Sequence, residues 1–198
     1  MKFVMRHKKA FIALIVLGIG IYFISRAGFF SATIPPEFEE ARLRGALISE
    51  AIVNLSRESV SVLEKVNELD EKRDFTEALN MTSDLLKQSG EIRNKAVELS
   101  GELEKMTQAL SKINSFEARQ AALEAISNRL ALIARLVNYS AYFSDLLNAL
   151  NARFSGASGD HQVEAIIGQI NAEITAINNF NAQAGQAMER FDAIVKGN

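Results

Sequence analysis

The sequence predicts an all-α chain, with an N-terminal transmembrane helix followed by an antiparallel up-down-up-down four-helix bundle with coiled-coil-like heptads. Three observations predict it. A basic start leads into sixteen uncharged residues, Ala10 to Ser25. Beyond Pro35-Pro36 there is no proline, as long uninterrupted helices require. Over that same stretch apolar or small residues recur at alternating spacings of three and four, the 3.5-residue period of helices packed knobs-into-holes.

Residues 1–9 read as a cytoplasmic basic segment, 10–27 as a transmembrane signal anchor and 28–36 as a linker. Ala10 to Ser25 covers about 24 Å of helix at 1.5 Å per residue. A hydrocarbon core is about 30 Å thick. Lys9 and Arg26 can snorkel from the ends of the segment, and Ala27, Phe29 and Phe30 extend it. Cleavage as a signal peptide is the competing reading, since Ser25-Arg26-Ala27 approximates a small-x-small site. Arg26 within that site, and the apolar Gly28-Phe29-Phe30 that would start the mature chain, favour retention. Lys2, Arg6, Lys8 and Lys9 before the segment, against Arg26 after it, put the N-terminus in the cytoplasm and residues 37–198 outside the membrane.

Residues 37–198 read as the bundle, with helices at 37–69, 75–113, 116–154 and 161–196. Asp70 to Asp74, Ser111 to Ser115 and Ser155 to Asp160 punctuate the stretch. Asp74 and Glu77 have capping-box spacing. The first helix runs Ala41, Gly45, Ile48, Ile52, Leu55, Ser59, Val62, Val66, Leu69. The second runs Phe75, Ala78, Thr82, Leu85, Ser89, Ile92, Ala96, Leu99, Leu103, Met106, Leu110, Ile113. The fourth runs Val163, Ile167, Ile170, Ile174, Ile177, Asn181, Ala184, Met188, Phe191, Val195. The third has two series, Leu123, Ile126, Leu130, Ile133, Val137 and Leu132, Leu136, Tyr139, Phe143, Leu146, Leu150, which imply a wider apolar face. Short connections favour a bundle within one chain over two hairpins that pair only in an oligomer.

Composition narrows the chemistry. The formal net charge is −2, but residues 1–36 carry five basic residues and no acid, so the remainder stands at −7. Such a body repels phosphate, and no nucleic-acid partner is expected. Absent cysteine excludes disulfides, thiolate metal sites and cysteine nucleophiles. His161 with Glu164 makes a lone i, i+3 pair, short of the paired Glu-x-x-His of di-iron bundles. No Ser-His-Asp set, phosphate loop or buried carboxylate pair is visible. No catalytic residues, metal, cofactor or enzyme activity are therefore expected. Three sequons, at Asn54, Asn80 and Asn138, are close to the chance number and fall inside helices, so glycosylation is not inferred.

Two features stand out as sites. Ser59, Thr82, Ser89, Ser140, Ser144 and Asn181 fall at similar heights in the membrane-distal third, as a candidate polar layer for a small ligand, for water or for fixing helix register. Leu130 to Leu150 is rich in apolar residues, and Ile174 to Met188 has no charge. Tyr139, Tyr142, Phe143, Asn178, Phe180 and Gln183 are accordingly a candidate interface.

Basic start, membrane helix and antiparallel bundle give a layout that resembles the extracytoplasmic four-helix sensory domains of bacterial chemoreceptor-type proteins. The resemblance is one of topology over the whole chain, without a sequence motif. It departs at Lys196-Gly197-Asn198, where no second membrane helix or output domain follows, so signal transmission through this chain alone is not expected. The leading expectation is a non-catalytic, single-pass cell-membrane protein of the envelope, acting as a scaffold or docking module for a protein partner or for its own copies. The alternative is a sensor-like small-ligand module without its own output domain. A third is a helical protein that opens on bilayers.

Overall fold

A computed structural model describes residues 34–156 and 160–196 of the 198-residue chain. The expected anchor, residues 10–27, lies outside them. Among the described residues there is no strand, and no helix is long and apolar enough to cross a membrane.

Four helices follow in order: α1 (Pro36–Lys72), α2 (Phe75–Ala109), α3 (Phe116–Phe154) and α4 (Asp160–Lys196). At 1.5 Å per residue each is about 50 to 60 Å long. Pro36 opens α1 at a position that has no intrahelical donor to lose. Leu69 and Asp70 carbonyls close α1 by accepting from Asp74 and Arg73, with Arg73 left-handed at φ 60°. The Asp74 carboxylate accepts from Glu77 N at 3.4 Å, and Ser115 Oγ accepts from Ala118 N at 3.2 Å, so both helices start with a satisfied cap. The expected second helix ends early: Leu110–Lys112 tightens into a 3₁₀ turn and Ile113 is extended, with its side chain buried. Gly156, at φ +88°, makes the turn after α3.

Cross-helix contacts fix the antiparallel order. Near the start of α1, Lys112 reaches Glu37 at 2.9 Å, and Phe38 packs on Phe191 of α4 with ring centroids 5.3 Å apart. At the opposite pole Arg153 pairs with Asp70 at 2.9 Å and Phe154 stacks on Phe75. The described residues form a four-helix bundle whose core runs its full length.

Packing is uneven around the bundle. Helices α1 and α2 form one close hairpin and α3 and α4 another, whereas α2 meets α3 less closely and α1 meets α4 less closely still. Gly45 accounts for the first closeness, since a Cβ there would sit 3.3 Å from Leu99 Cδ1. Ion pairs Glu124–Arg190 at 2.6 Å and Arg135–Glu173 at 3.5 Å line the α3–α4 flank.

The series expected for α1, α2 and α4 face the core, apart from exposed Phe75 and a few half-buried members. One series of α3 does so only in part: Ile126 and Ile133 are buried and Val137 is half-buried. Leu123 and Leu130 are exposed, because the buried seam runs Ala118, Ala122, Ala125, Arg129, Leu132, Leu136, Tyr139, Phe143, Leu146, Leu150. Small alanines occupy the half of the seam near Phe116, and one member is an arginine.

Candidate functional site

The expected polar layer divides. Ser89, Ser140 and Ser144 meet at the α2–α3 contact. Ser140 Oγ donates to the Ser89 carbonyl at 2.8 Å and Ser144 Oγ to the Ser140 carbonyl at 2.9 Å. Ser89 Oγ lies 3.0 Å from the Ser140 carbonyl and from both other hydroxyls. Thr82 donates to the Ala78 carbonyl at 2.6 Å, and Ser59 to the Leu55 carbonyl at 2.9 Å with Gln88 Oε1 beside it. These hydroxyls satisfy one another and their own helices. Asn181 belongs elsewhere, against a cavity closer to the Pro36 pole.

The expected interface changes too. Tyr139 and Phe143 are buried core residues, stacked 5.9 Å apart, because α3 packs against α2 and α4 and its wide apolar face serves both. Burial also pushes the Tyr139 phenol well above its ordinary pKa. Tyr142, Asn178 and Phe180 are half-buried, and Gln183 is exposed. Exposed large apolar side chains are scattered over the surface, with Leu43 and Leu47 on α1 and Ile194 on α4, and three of them form a strip on α3. Phe116, Leu123 and Leu130 recur every seven residues along α3 and are 66%, 49% and 45% exposed. They lie on the flank away from the Glu124 and Arg135 ion pairs, the side on which α2 carries exposed Val97.

Five charged side chains are buried among the described residues: Arg42, Glu102, Arg129, Glu173 and Asp192. Arg42 and Asp192 form a two-pronged pair across α1 and α4, with both Nη–Oδ distances 2.8 Å. Glu102 accepts from Lys105 at 2.6 Å and Arg44 at 3.2 Å, and the Lys105 bond above all holds its carboxyl below the usual range. Glu173 Oε1 accepts from Asn138 at 3.4 Å and faces Arg135, while its Oε2 is buried without a partner.

Arg129 is different. It is 7% exposed, and among the described residues it makes no hydrogen bond or ion pair. Desolvation, with the neighbouring Arg42 charge adding to it, pushes its pKa down to about 10, so at neutral pH it still carries its charge. Arg129 lines a cavity of about 20 Å³ together with Ala46, Ser49 and Ile52 of α1, Leu99 of α2, Leu132 and Leu136 of α3, and Asn181 of α4. The Asn181 side chain, on a residue 9% exposed, likewise makes no hydrogen bond among the described residues. The gap opens where the two hairpins meet and where Ala46 and Ser49 are small.

No protein-family model, curated protein or solved structure matches the chain. Among the described residues no group of three or more His, Cys, Asp or Glu could hold a metal ion. Sequence reasoning passed over Arg129 because the α3 seam was started at Leu132. Stepping back three and then four residues along the same heptad reaches Arg129 and Ala125, and an arginine in a seam position is the signal that finds it.

Proposed function

We propose that the chain is a non-catalytic, membrane-anchored bundle of the cell envelope, held by residues 10–27 with its N-terminus in the cytoplasm, and that it docks onto a second copy of itself. The observation that carries this is the exposed strip Phe116, Leu123 and Leu130. Apolar side chains at seven-residue spacing suit a neighbouring helix of the same pitch. Two copies anchored in one membrane stand parallel and at the same height. About a two-fold axis along the bundle, each strip residue then meets its own counterpart. The small-ligand reading at the serine layer has less support, since those hydroxyls already have partners.

The chain contains no cysteine, so single cysteines give an uncluttered test. A disulfide needs Cα atoms within about 7 Å. Leu123→Cys and Leu130→Cys should form disulfide dimers in oxidised membranes, whereas Leu43→Cys, exposed on α1, should not. No dimer from either strip position, or equal dimer from Leu43→Cys, refutes the docking. Protease added to intact cells should remove the bundle; protection of residues 37–198 refutes the orientation.

A further inference from the structure

We propose that the cavity between the two hairpins is a binding site for a small monovalent anion, chloride or a one- to two-carbon carboxylate, held by Arg129 and Asn181. Charge balance is the first reason. Moving a guanidinium out of water is expensive unless an opposite charge or a full set of acceptors replaces it. Every other buried charged side chain among the described residues has its ion partner, and Arg129 has none. Asp192 is held through both oxygens by Arg42 at 2.8 Å, and among the described residues it makes no hydrogen bond or ion pair with Arg129. Glu39 reaches Arg42 at 3.4 Å from a partly exposed position. Of the two buried cations among the described residues, Arg129 is the one with no carboxylate in contact.

Donor chemistry is the second reason. A guanidinium offers five N–H groups and no acceptor, and the Asn181 amide offers two more. Both side chains are more than nine-tenths buried, both line the same cavity, and neither bonds to another group among the described residues. Ser49 Oγ now donates to the Gly45 carbonyl at 2.8 Å and can turn its proton to a guest. The other large lining groups, Ile52, Leu99, Leu132 and Leu136, are apolar and lower the local dielectric, which strengthens the charge interaction. Size is the third. About 20 Å³ exceeds the 10–15 Å³ that one water needs, and leaves no space for a phosphate ester or an amino acid. A lone water would fill the space but not the charge deficit. This inference stands apart from the docking strip, which lies on the outer surface of α3.

The test uses the full chain in a non-ionic detergent, with gluconate as the bulky reference anion at constant ionic strength. Chlorine-35 NMR should show excess broadening that formate competes away. The melting midpoint followed by circular dichroism should rise saturably with chloride or formate, by about 5 to 10 °C at a hundredfold excess over the dissociation constant. A response to chloride alone or to formate alone supports the site and says which source fills it. Arg129→Met, which removes an unmatched buried charge and is expected to fold, should lose both signals. Should that variant not fold, Asn181→Leu keeps the charge and should weaken binding about tenfold. Broadening and midpoint shifts that are absent, or equal in wild type and in the Arg129 and Asn181 variants, overturn the proposal and leave a cavity holding water only.

Discussion

Replacing Asp192 by alanine tests how the two hairpins are held near the Pro36 pole. The side chains of Arg42 and Asp192 are only 8% and 11% exposed, so the pair is not a surface ion pair worth a few tenths of a kcal/mol. Removing one partner of a buried pair typically costs about 3 to 5 kcal/mol, since the remaining charge stays desolvated. Glu39 at 3.4 Å still offers Arg42 a partial partner, which argues for the lower end. Arg129 nearby works the other way, because its charge acts on an Arg42 left with only a partly exposed carboxylate. A loss of about 3 kcal/mol is expected, a large share of the 5 to 15 kcal/mol that stabilises a typical fold. For a chain of this size the midpoint should fall by about 6 to 12 °C. Urea denaturation of the full chain in detergent, followed at 222 nm, measures the change. The double variant Arg42→Met with Asp192→Leu should return to within about 1 kcal/mol of the parent, because an apolar pair carries no desolvation cost. A single-variant loss below about 1 kcal/mol, or a double variant as weak as the single one, refutes the reasoning.

Four further outcomes follow from the same structure. Ser89→Ala should lower stability by about 1 kcal/mol by urea denaturation, and no more, since Ser140 and Ser144 keep carbonyls to donate to. Arg73→Gly should raise stability by about 0.5 to 1 kcal/mol by relieving a left-handed non-glycine residue, whereas Gly156→Ala at φ +88° should lower it by about 1 kcal/mol. Burial raises the Tyr139 pKa above its unfolded value of 10.0, so the stability tied to its neutral form is complete below pH 10 and falls as pH rises beyond it. The gap between wild type and Tyr139→Phe, measured from pH 8 to 11, should therefore change only above about pH 10. Taking that difference also cancels the opposite trend of Arg129, whose lowered pKa relieves its burial as pH rises.

Helix type, order and most boundaries were legible because each depends on short-range chemistry. The heptads of α1, α2 and α4 keep one face apolar, Pro36 and the Asp74 and Ser115 caps mark starts, and Gly156 marks a turn. What could not be read depends on which neighbour fills which flank. The surplus of apolar residues around Tyr139 and Phe143 looks the same in sequence whether it meets solvent, a partner or two adjacent helices, and in the folded chain it meets helices. Arg42 and Asp192 are 150 positions apart, and nothing local distinguishes them from solvated residues. Counting residues from the turns puts Asn181 level with the serines, whereas in the folded chain it lies nearer the Pro36 pole and lines the cavity with Arg129. Leu123 and Leu130 fit a 3.5-residue series as well as their buried neighbours do, so only the alanines of the true seam, which let the helices close in, turn them outward.

Helix α1 begins and α4 ends at one pole, which gives the bundle a direction of mechanical weakness. Tension between Pro36 and Lys196 acts across the rods, peeling them open like a zipper. Each layer then bears the whole load in turn, beginning with the Phe38–Phe191 rings and the Arg42–Asp192 clasp. A pull between Pro36 and Gly156 acts lengthwise instead and must shear every layer together. The same molecule is thus compliant to a sideways tug and stiff to a lengthwise one.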